Sequence, residues 1–348
     1  MIPTHPDAMT TAWLEQALAA PRHSLAGFSA TPIGTGQMSK SFRLALEWKE
    51  AGGGPTSIVA KCPASDEGTR SIAQALNCYT LELGWYRELS HTISVNCPQC
   101  LFQDSSHDDL DFVLLLEDMA PARQGDQLAG ASIPQIEAAL RQAARLHAPY
   151  WADLRLNDIA WLRPKDSSGN MVRMLMPPLF LQFRERYANR LSSDILEMGA
   201  AFVARLDKYL DYVPNAPTAQ HRDFRIDNIL FSPDAGEAHI VDWQTLGVGS
   251  GIADVAYLIG TSIADPKERA KEEQRLVDYY ANQLVNLGVI PNTVQIWREY
   301  KLYAFSGFLM AVFAAMNVGR TERGDEMFAV MTERPAWQAL HLGSLSLL

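Results

Sequence analysis

The stretch HRDFRIDNILFSPDAGEAHIVDWQTLGVGSGIAD, His221 to Asp254, decides how the rest of the chain is read. Asn228 opens an apolar run, Ile229-Leu230-Phe231. The turn-rich Ser232-Pro233-Asp234-Ala235-Gly236 follows, and a second run, His239-Ile240-Val241, ends at Asp242. Two short apolar runs around a turn predict a β-hairpin. A hairpin folds back on itself, so Asp242 is expected beside Asn228, with two oxygen donors converging. A sparse set of hard oxygen ligands suits Mg²⁺, which keeps waters and takes its remaining ligands from phosphates.

Asp223 lies two residues after His221 and five before Asn228. This reproduces the H-R-D-x-x-x-x-N loop of protein kinases. A γ-phosphoryl group in flight offers a protein little covalent chemistry, so catalysis reduces to aligning the acceptor hydroxyl and neutralising phosphate charge. In that geometry the Asp accepts the hydroxyl proton and the Asn carboxamide oxygen binds a metal. A lone His-x-Asp occurs by chance, and an Asp after a strand is often only a turn or cap. Agreement of the tripeptide, the Asn, the hairpin and the following Asp favours chemistry over coincidence.

The chain has 348 residues, 47% of them hydrophobic, enough for sizeable cores in two domains or one two-lobed unit. A net charge of -10 argues against a nucleic-acid partner. The first residues, MIPTHPDAMTTAWLEQALAA, lack a basic segment followed by an apolar run, so a cytoplasmic location is expected. Cys62, Cys78, Cys97 and Cys100 form no disulfide framework in a chain this long. Cys97 and Cys100 lack the second pair or His partners that structural zinc requires.

Towards the amino end, TPIGTGQMSKSFR (Thr31 to Arg43) places Gly34 and Gly36 between strand-like flanks, where backbone N–H groups can approach phosphate oxygens. Ser39 stands where a third glycine would complete G-x-G-x-x-G, and a plain hairpin turn is the competing reading. After the Gly52-Gly53-Gly54-Pro55 turn, the strand Ser57 to Ala60 ends in Lys61, placed to pair with α- and β-phosphates. A helix expected from Gly68 to His91 offers Glu82 and Glu88 as counter-ions. Six residues apart, they point about 120° from one another, so at most one faces the lysine. LDFVLLLEDM (Leu110 to Met119) reads as a buried strand running into a polar exit. In a two-lobed kinase that exit is the hinge, and the backbone at Glu117 to Met119 meets adenine. Ser132 to Tyr150 is a helix with Ser132 as N-cap and Pro134 in the first turn.

These residues together resemble the aminoglycoside phosphotransferase and choline kinase superfamily, in particular a broad bacterial branch related to ecdysteroid kinase-like proteins. The carriers are Lys61, the E-x-x-W-Y-R-E-L pattern at Glu82 to Leu89, LLLEDM, LHAPYW at Leu146 to Trp151, HRDFRIDNILF and VDWQTLGVGSGIADVAY. The resemblance implies an α+β, bilobal protein-kinase-like fold. Its N-lobe is a small β-sheet with one main helix (1–118), and its C-lobe is larger and mostly helical (119–348). It further implies ATP and Mg²⁺ as cofactors, Glu82 as the partner of Lys61, Asp223 as catalytic base, and Asn228 and Asp242 as Mg²⁺ ligands. Arg225 is either a phosphate contact or a loop-stabilising ion pair. Most of the family has His-Gly-Asp, whereas this chain has His221-Arg222-Asp223, the protein-kinase form. Twelve residues from Asp242 to Asp254 leave no room for a protein-kinase activation segment, which turns the expectation to a small-molecule acceptor. Asp254 is expected to support the catalytic loop.

The uncharged stretch Leu302 to Gly319 tempts a membrane reading, but Ser306, Gly307 and Asn317 interrupt it and a buried core helix is expected. With Trp297, Tyr300 and Tyr303 close by, an acceptor-pocket wall is the competing reading, core packing being the default. A polycationic aminoglycoside calls for clustered carboxylates. Glu268, Glu272 and Glu273 are instead interleaved with Lys267, Arg269, Lys271 and Arg275, as on a solvated helix. The expected activity is transfer of the ATP γ-phosphate to a small-molecule hydroxyl, favouring an apolar or amphipathic alcohol. Antibiotics and choline-like amino alcohols are the other acceptor classes, and a nucleotide-binding regulator without turnover is the alternative role.

Overall fold

A computed structural model of the chain describes residues 2–34, 38–163 and 168–348. Two compact units emerge: Met1–Thr92, Cys97–Ala120 and Asp242–Gln244 form the first, and Ile93–Asn96, Pro121–Val241 and Thr245–Leu348 the second. The fold is of the expected α+β class, with an antiparallel sheet in one unit and mainly helices in the other.

In the first unit, α1 (Thr11–Ala17) precedes β1 (Leu25–Ile33), β2 (Ser39–Trp48) and β3 (Ser57–Pro63). Helices α2 (Glu67–Ala75) and α3 (Cys78–Gly84) follow, then β4 (Cys100–Ser105) and β5 (Phe112–Glu117). The strands form one antiparallel sheet in the order β1-β2-β3-β5-β4. Period-two alternation sets which face is buried. Phe42, Leu44 and Leu46 of β2 pack with Ile58, Ala60 and Cys62 of β3, while Arg43, Ala45 and Glu47 face solvent. Lys61 projects from the other face of the central strand β3, paired in register with Leu114. In the β2–β3 turn, Gly54 leaves room for the Trp48 ring, which a Cβ there would meet at 2.5 Å.

The single helix expected from Gly68 to His91 is instead interrupted. Asn77 takes a left-handed φ of 62°, which ends α2 and restarts the chain as α3. The turn after α3, Trp85–Leu89, widens to π-helix and buries Trp85, Tyr86 and Leu89. Such local widening re-aims side chains without ending the helix.

The second unit holds β6 (Arg123–Gln124), α4 (Ile133–His147), α5 (Ser168–Tyr187), α6 (Ser193–Val203), α7 (Leu206–Leu210), β7 (Pro217–Gln220), β8 (Ile229–Phe231), β9 (Ala238–Ile240) and β10 (Gly247–Ser250). Five helices complete it: α8 (Gly251–Ser262), α9 (Pro266–Asn286), α10 (Thr293–Leu302), α11 (Phe305–Asn317) and α12 (Glu322–His341). Strands β8 and β9 form the expected hairpin, with Ile229 opposite Ile240 and Phe231 opposite Ala238. At the start of α4, the Gln135 side chain accepts the Ser132 N–H at 2.9 Å.

Leu302 to Gly319 is split between two helices and belongs to the core. Phe305, Phe308, Val312 and Ala315 of α11 pack against Phe180, Phe183 and Phe202. Among the described residues no helix is long and apolar enough to cross a membrane. The mixed charges of α9 need a correction. Arg269 and Glu273 are only 1% and 4% exposed and pair at 2.7 Å, with the Tyr300 hydroxyl donating to Glu273 at 3.1 Å. Their i,i+4 spacing places them on the inward stripe with Leu276, Val277 and Tyr280, where the charges offset one another. Tyr300 is therefore a core residue. Phe202 stacks on Phe305 with centroids 4.4 Å apart. Phe202→Ala should lower the free energy of unfolding by about 3–5 kcal/mol, read from denaturant titration.

Candidate functional site

Each unit carries its own share of the residues singled out from the sequence. In the second unit, β7 delivers the chain to His221, and β10 runs back antiparallel to it before α8 begins. Asp254, in the first turn of α8, is fully buried. One carboxylate oxygen accepts the His221 N–H at 2.7 Å and the other the Arg222 N–H at 2.9 Å. His147 Nε2 lies 3.3 Å from the same carboxylate, with its Nδ1 2.8 Å from the Tyr280 hydroxyl. Burial pushes the Tyr280 phenol well above its ordinary value, so its hydroxyl keeps its proton. Thr245 Oγ1 donates to the His221 carbonyl at 2.7 Å. Asp254 therefore holds the loop by its backbone, the supporting role expected of it.

Arg222 adopts a φ of 69°, a left-handed conformation in which glycine is unstrained. Its guanidinium lies over Gly247, where a Cβ would meet Arg222 Cζ at 2.2 Å, and it donates to the Val248 carbonyl at 3.0 Å. The His-Gly-Asp form of the family thus meets the same backbone requirement without a side chain.

Asp223 is engaged through both oxygens. The Asn228 carboxamide nitrogen donates to Oδ2 at 2.8 Å and the Tyr257 hydroxyl to Oδ1 at 2.9 Å. A carboxylate accepts and never donates, so this contact sets which end of the Asn228 amide faces Asp223. Arg225 Nε is 3.3 Å from Asp223, and Nη1 is 2.5 Å from Asp227. Burial opposes the Arg225 charge, but Asp223, Tyr257 and Asp227 outweigh it and hold the guanidinium protonated. Arg225 thus makes the loop ion pair, one of the two roles open to it. Asp227 in turn accepts the Gln127 N–H at 2.9 Å. The Val241 N–H donates to the Asn228 carbonyl at 3.0 Å, and Asp242 is the next residue in the chain.

In the first unit, Lys61 Nζ lies 2.7 Å from Glu82 and 2.8 Å from Asp242. Glu88 instead pairs with Arg87 at the surface. Burial penalises the Lys61 charge, but Asp242 and Glu82 more than compensate and raise its pKa above the lysine value. Asp242 has a φ of 69° and receives a hydrogen bond from Gln244 Nε2 at 2.9 Å. Asp tolerates this left-handed region better than most residues. Trp85, one turn after Glu82, stacks on Trp243, one residue after Asp242, with centroids 3.6 Å apart and planes within 12°. Both indoles are fully buried.

Gly34 is described with a φ of 72°, while Gly36 lies outside the described residues. Ser39, the first residue of β2, is buried opposite Pro63. Just before it, the Met38 carbonyl accepts the Tyr79 hydroxyl at 2.6 Å. The Glu117 N–H already donates to the Gln99 carbonyl at 2.9 Å, whereas Met119 follows the strand in a loop. Asp118 between them accepts from Arg43 Nε and Ser57 Oγ, each at 2.7 Å, tying that loop to β2 and β3. Burial raises the thiols of Cys97 and Cys100 to about 11, which keeps both protonated near neutrality.

The sequence reading missed Tyr257, Asp118 and the Trp85–Trp243 stack. Tyr257 sits in an apolar run that conceals a polar tip, and the stack joins residues far apart in the chain. The i+3 spacing of Tyr257 from Asp254 was the available signal.

A model of the phosphotransferase enzyme family matches residues 64–301. Among solved structures, the chain is similar to a microcompartment-associated aminopropanol kinase (TM-score 0.56, 14% identity, covering 96% of this chain and 98% of that one). It is also similar to choline kinase LicA from Streptococcus pneumoniae (TM-score 0.54, 12% identity, 96% and 98% covered). A third is the gentamicin complex of APH(2")-IIa (TM-score 0.50, 15% identity, 94% and 96% covered). At these identities the likeness is one of fold. No curated protein matches the sequence.

Lys61→Met should leave the Glu82 and Asp242 carboxylates facing each other without a cation. We expect a loss of about 3 kcal/mol of stability, measured by urea unfolding. The wild-type contribution, resting on a raised lysine pKa, is fully present below the ordinary value of 10.5 and lost only at more alkaline pH. The deficit of the variant should shrink on acidification, as its carboxyls protonate.

Proposed function

The chain belongs to the phosphotransferase enzyme family, and on that premise we propose that it moves the γ-phosphate of ATP to a hydroxyl of a small molecule. The observation that carries this reading is the Asp223–Asn228 contact, because it gives two adjacent side chains complementary tasks. Asp223 presents a carboxylate to the acceptor hydroxyl and takes its proton. The acceptor oxygen forms the new bond to phosphorus as the bond to the ADP oxygen breaks. Asn228 turns its amide nitrogen inward and its oxygen towards a cation.

The donor set fits Mg²⁺: a carboxamide oxygen from Asn228 and a carboxylate from Asp242, both hard and few in number. When bound, the ion would neutralise charge on the β- and γ-phosphates. Lys61, held by Glu82, carries a fixed positive charge for the α- and β-phosphates. We assign Gly34, Gly36 and Ser39 to phosphate contact, and Glu117 and Met119 to the adenine edge. With the Glu117 N–H already committed, Met119 in the following loop is the better placed backbone donor. Arg225, bracketed by Asp223 and Asp227, balances the charge of the loop.

For the acceptor we favour an alcohol with an apolar or amphipathic skeleton over a polycation. Half-buried Met310 and Met327 pack against the Tyr257 cluster, and Met327 Sδ lies 3.7 Å from Arg225. Flexible thioether side chains adapt to apolar ligands of varied shape.

Isothermal titration should show ATP binding that depends on Mg²⁺, retained in Asp223→Asn. Release of ADP, screened over alcohols, amino alcohols, sterols and hydroxyacyl thioesters, should fall at least 100-fold in that variant. Wild-type turnover in Asp223→Asn would remove the base assignment. Absence of Mg²⁺-dependent ATP affinity in the wild type would sink the whole reading, while binding without turnover on any acceptor would favour a nucleotide-binding regulator.

A further inference from the structure

Pairing of β5 with β3 ends at Glu117, which lies opposite Ile58. Asp118 is the first residue beyond the ladder, and its carboxylate takes over the fastening. Arg43 donates to it twice, from Nε at 2.7 Å and from Nη2 at 3.1 Å, and Ser57 Oγ donates at 2.7 Å. A fourth donor is local: the Ala120 N–H reaches Asp118 Oδ1 at 3.2 Å and closes a turn with Met119 at its centre. The Asp118 side chain is only 4% exposed. Burial opposes its charge, but Arg43, Ser57 and the Ala120 N–H outweigh that and hold the carboxyl below its ordinary range. A lone surface ion pair contributes little, whereas a guanidinium fork and a hydroxyl meeting one carboxylate fix its direction.

The partners of Asp118 share one face of the sheet. Ile58, Ala60 and Cys62 of β3 belong to the core, so Ser57, Val59 and Lys61 lie on the opposite face. Arg43, opposite Val59 in register, lies on that face too. Ser57 and Lys61 are separated by four residue steps, about 13 Å along one strand. Resting on the reading of Met119 as the adenine-edge donor and Lys61 as the phosphate cation, we propose that Asp118 is a positioning residue for the nucleobase. It holds the Met119 peptide in register with β3, so the base end and the phosphate end of the nucleotide are both referenced to the strand that bears Lys61. The Glu117 N–H is committed to the Gln99 carbonyl at 2.9 Å and the Ala120 N–H to Asp118, which leaves the Met119 N–H between two engaged neighbours. A donor fixed before the ligand arrives binds without a loop having to be ordered at that moment. Slackening the tether therefore weakens the hold on the base and spares the hold on the phosphates.

The test compares Mg-ATP with Mg-tripolyphosphate, which lacks ribose and base, by isothermal titration of wild type and Asp118→Asn. Asparagine keeps the shape but turns an amide NH₂ towards groups that are themselves donors. The Kd for ATP should rise about tenfold and that for tripolyphosphate stay within about twofold. In protein labelled with ¹⁵N-methionine, the Met119 amide, assigned by its loss in Met119→Leu, should move when adenosine is added to wild type. It should move less in Asp118→Asn at equal saturation. Equal losses for the two probes, or a wild-type Met119 amide indifferent to adenosine, would overturn the proposal. Neither measurement needs turnover, so a protein that binds ATP in this way and phosphorylates no acceptor counts against the transferase reading alone. Should Asp118→Asn fail to fold, Ser57→Ala removes a single donor and should raise the Kd for ATP alone by about threefold. An unchanged Kd in that variant would overturn the proposal in its turn.

Discussion

One buried carboxylate carries the architecture of the loop from His221 to Asn228. Asp254 is shielded from water, a placement tolerable because two backbone N–H groups and an imidazole meet its carboxyl group. The contact reverses the usual dependence of a loop on its flanking elements, since a helix start grips the two residues just before Asp223. Everything downstream of that grip depends on it, including the left-handed turn at Arg222 and the aim of Asp223.

The first unit solves a different problem with similar means. Lys61 stands between two acids on a strand with little exposure, so its charge is held by geometry and not by solvent. The indole stack of Trp85 on Trp243 then links the helix bearing Glu82 to the short segment bearing Asp242. Offset or parallel aromatic pairs add about 0.5–1.5 kcal/mol beyond the area they bury. That is modest beside the ion pairs, but it fixes spacing that flexible carboxylates cannot fix for themselves. The membership of the chain in the phosphotransferase enzyme family gives these two constellations a common chemical context.

Much of this was legible in the sequence, for reasons that differ by element. Period-two patterning made the strands visible, and the apolar runs around Ser232 to Gly236 made the hairpin visible, because burial on one face imposes a periodicity. The polar motif was legible because its spacing, not its burial, carries the information. The break at Asn77 was not, since a single left-handed residue leaves the surrounding helical pattern intact. The buried Arg269–Glu273 pair was also misread, because charges on an inward stripe look the same in one dimension as charges on a solvated face. Tyr257 escaped for the converse reason: its ring satisfied the apolar pattern, and nothing in that pattern reports where a hydroxyl points.

The central claim is that the Asp223–Asn228 pair serves transfer of a phosphoryl group to carbon-bound oxygen. ³¹P NMR of the purified protein with Mg-ATP and a mixture of alcohols follows that group directly. The account predicts a phosphomonoester resonance that grows in step with ADP. If nucleotide is bound but the γ-phosphate stays on ATP, or emerges only as inorganic phosphate whatever alcohol is present, the account is contradicted.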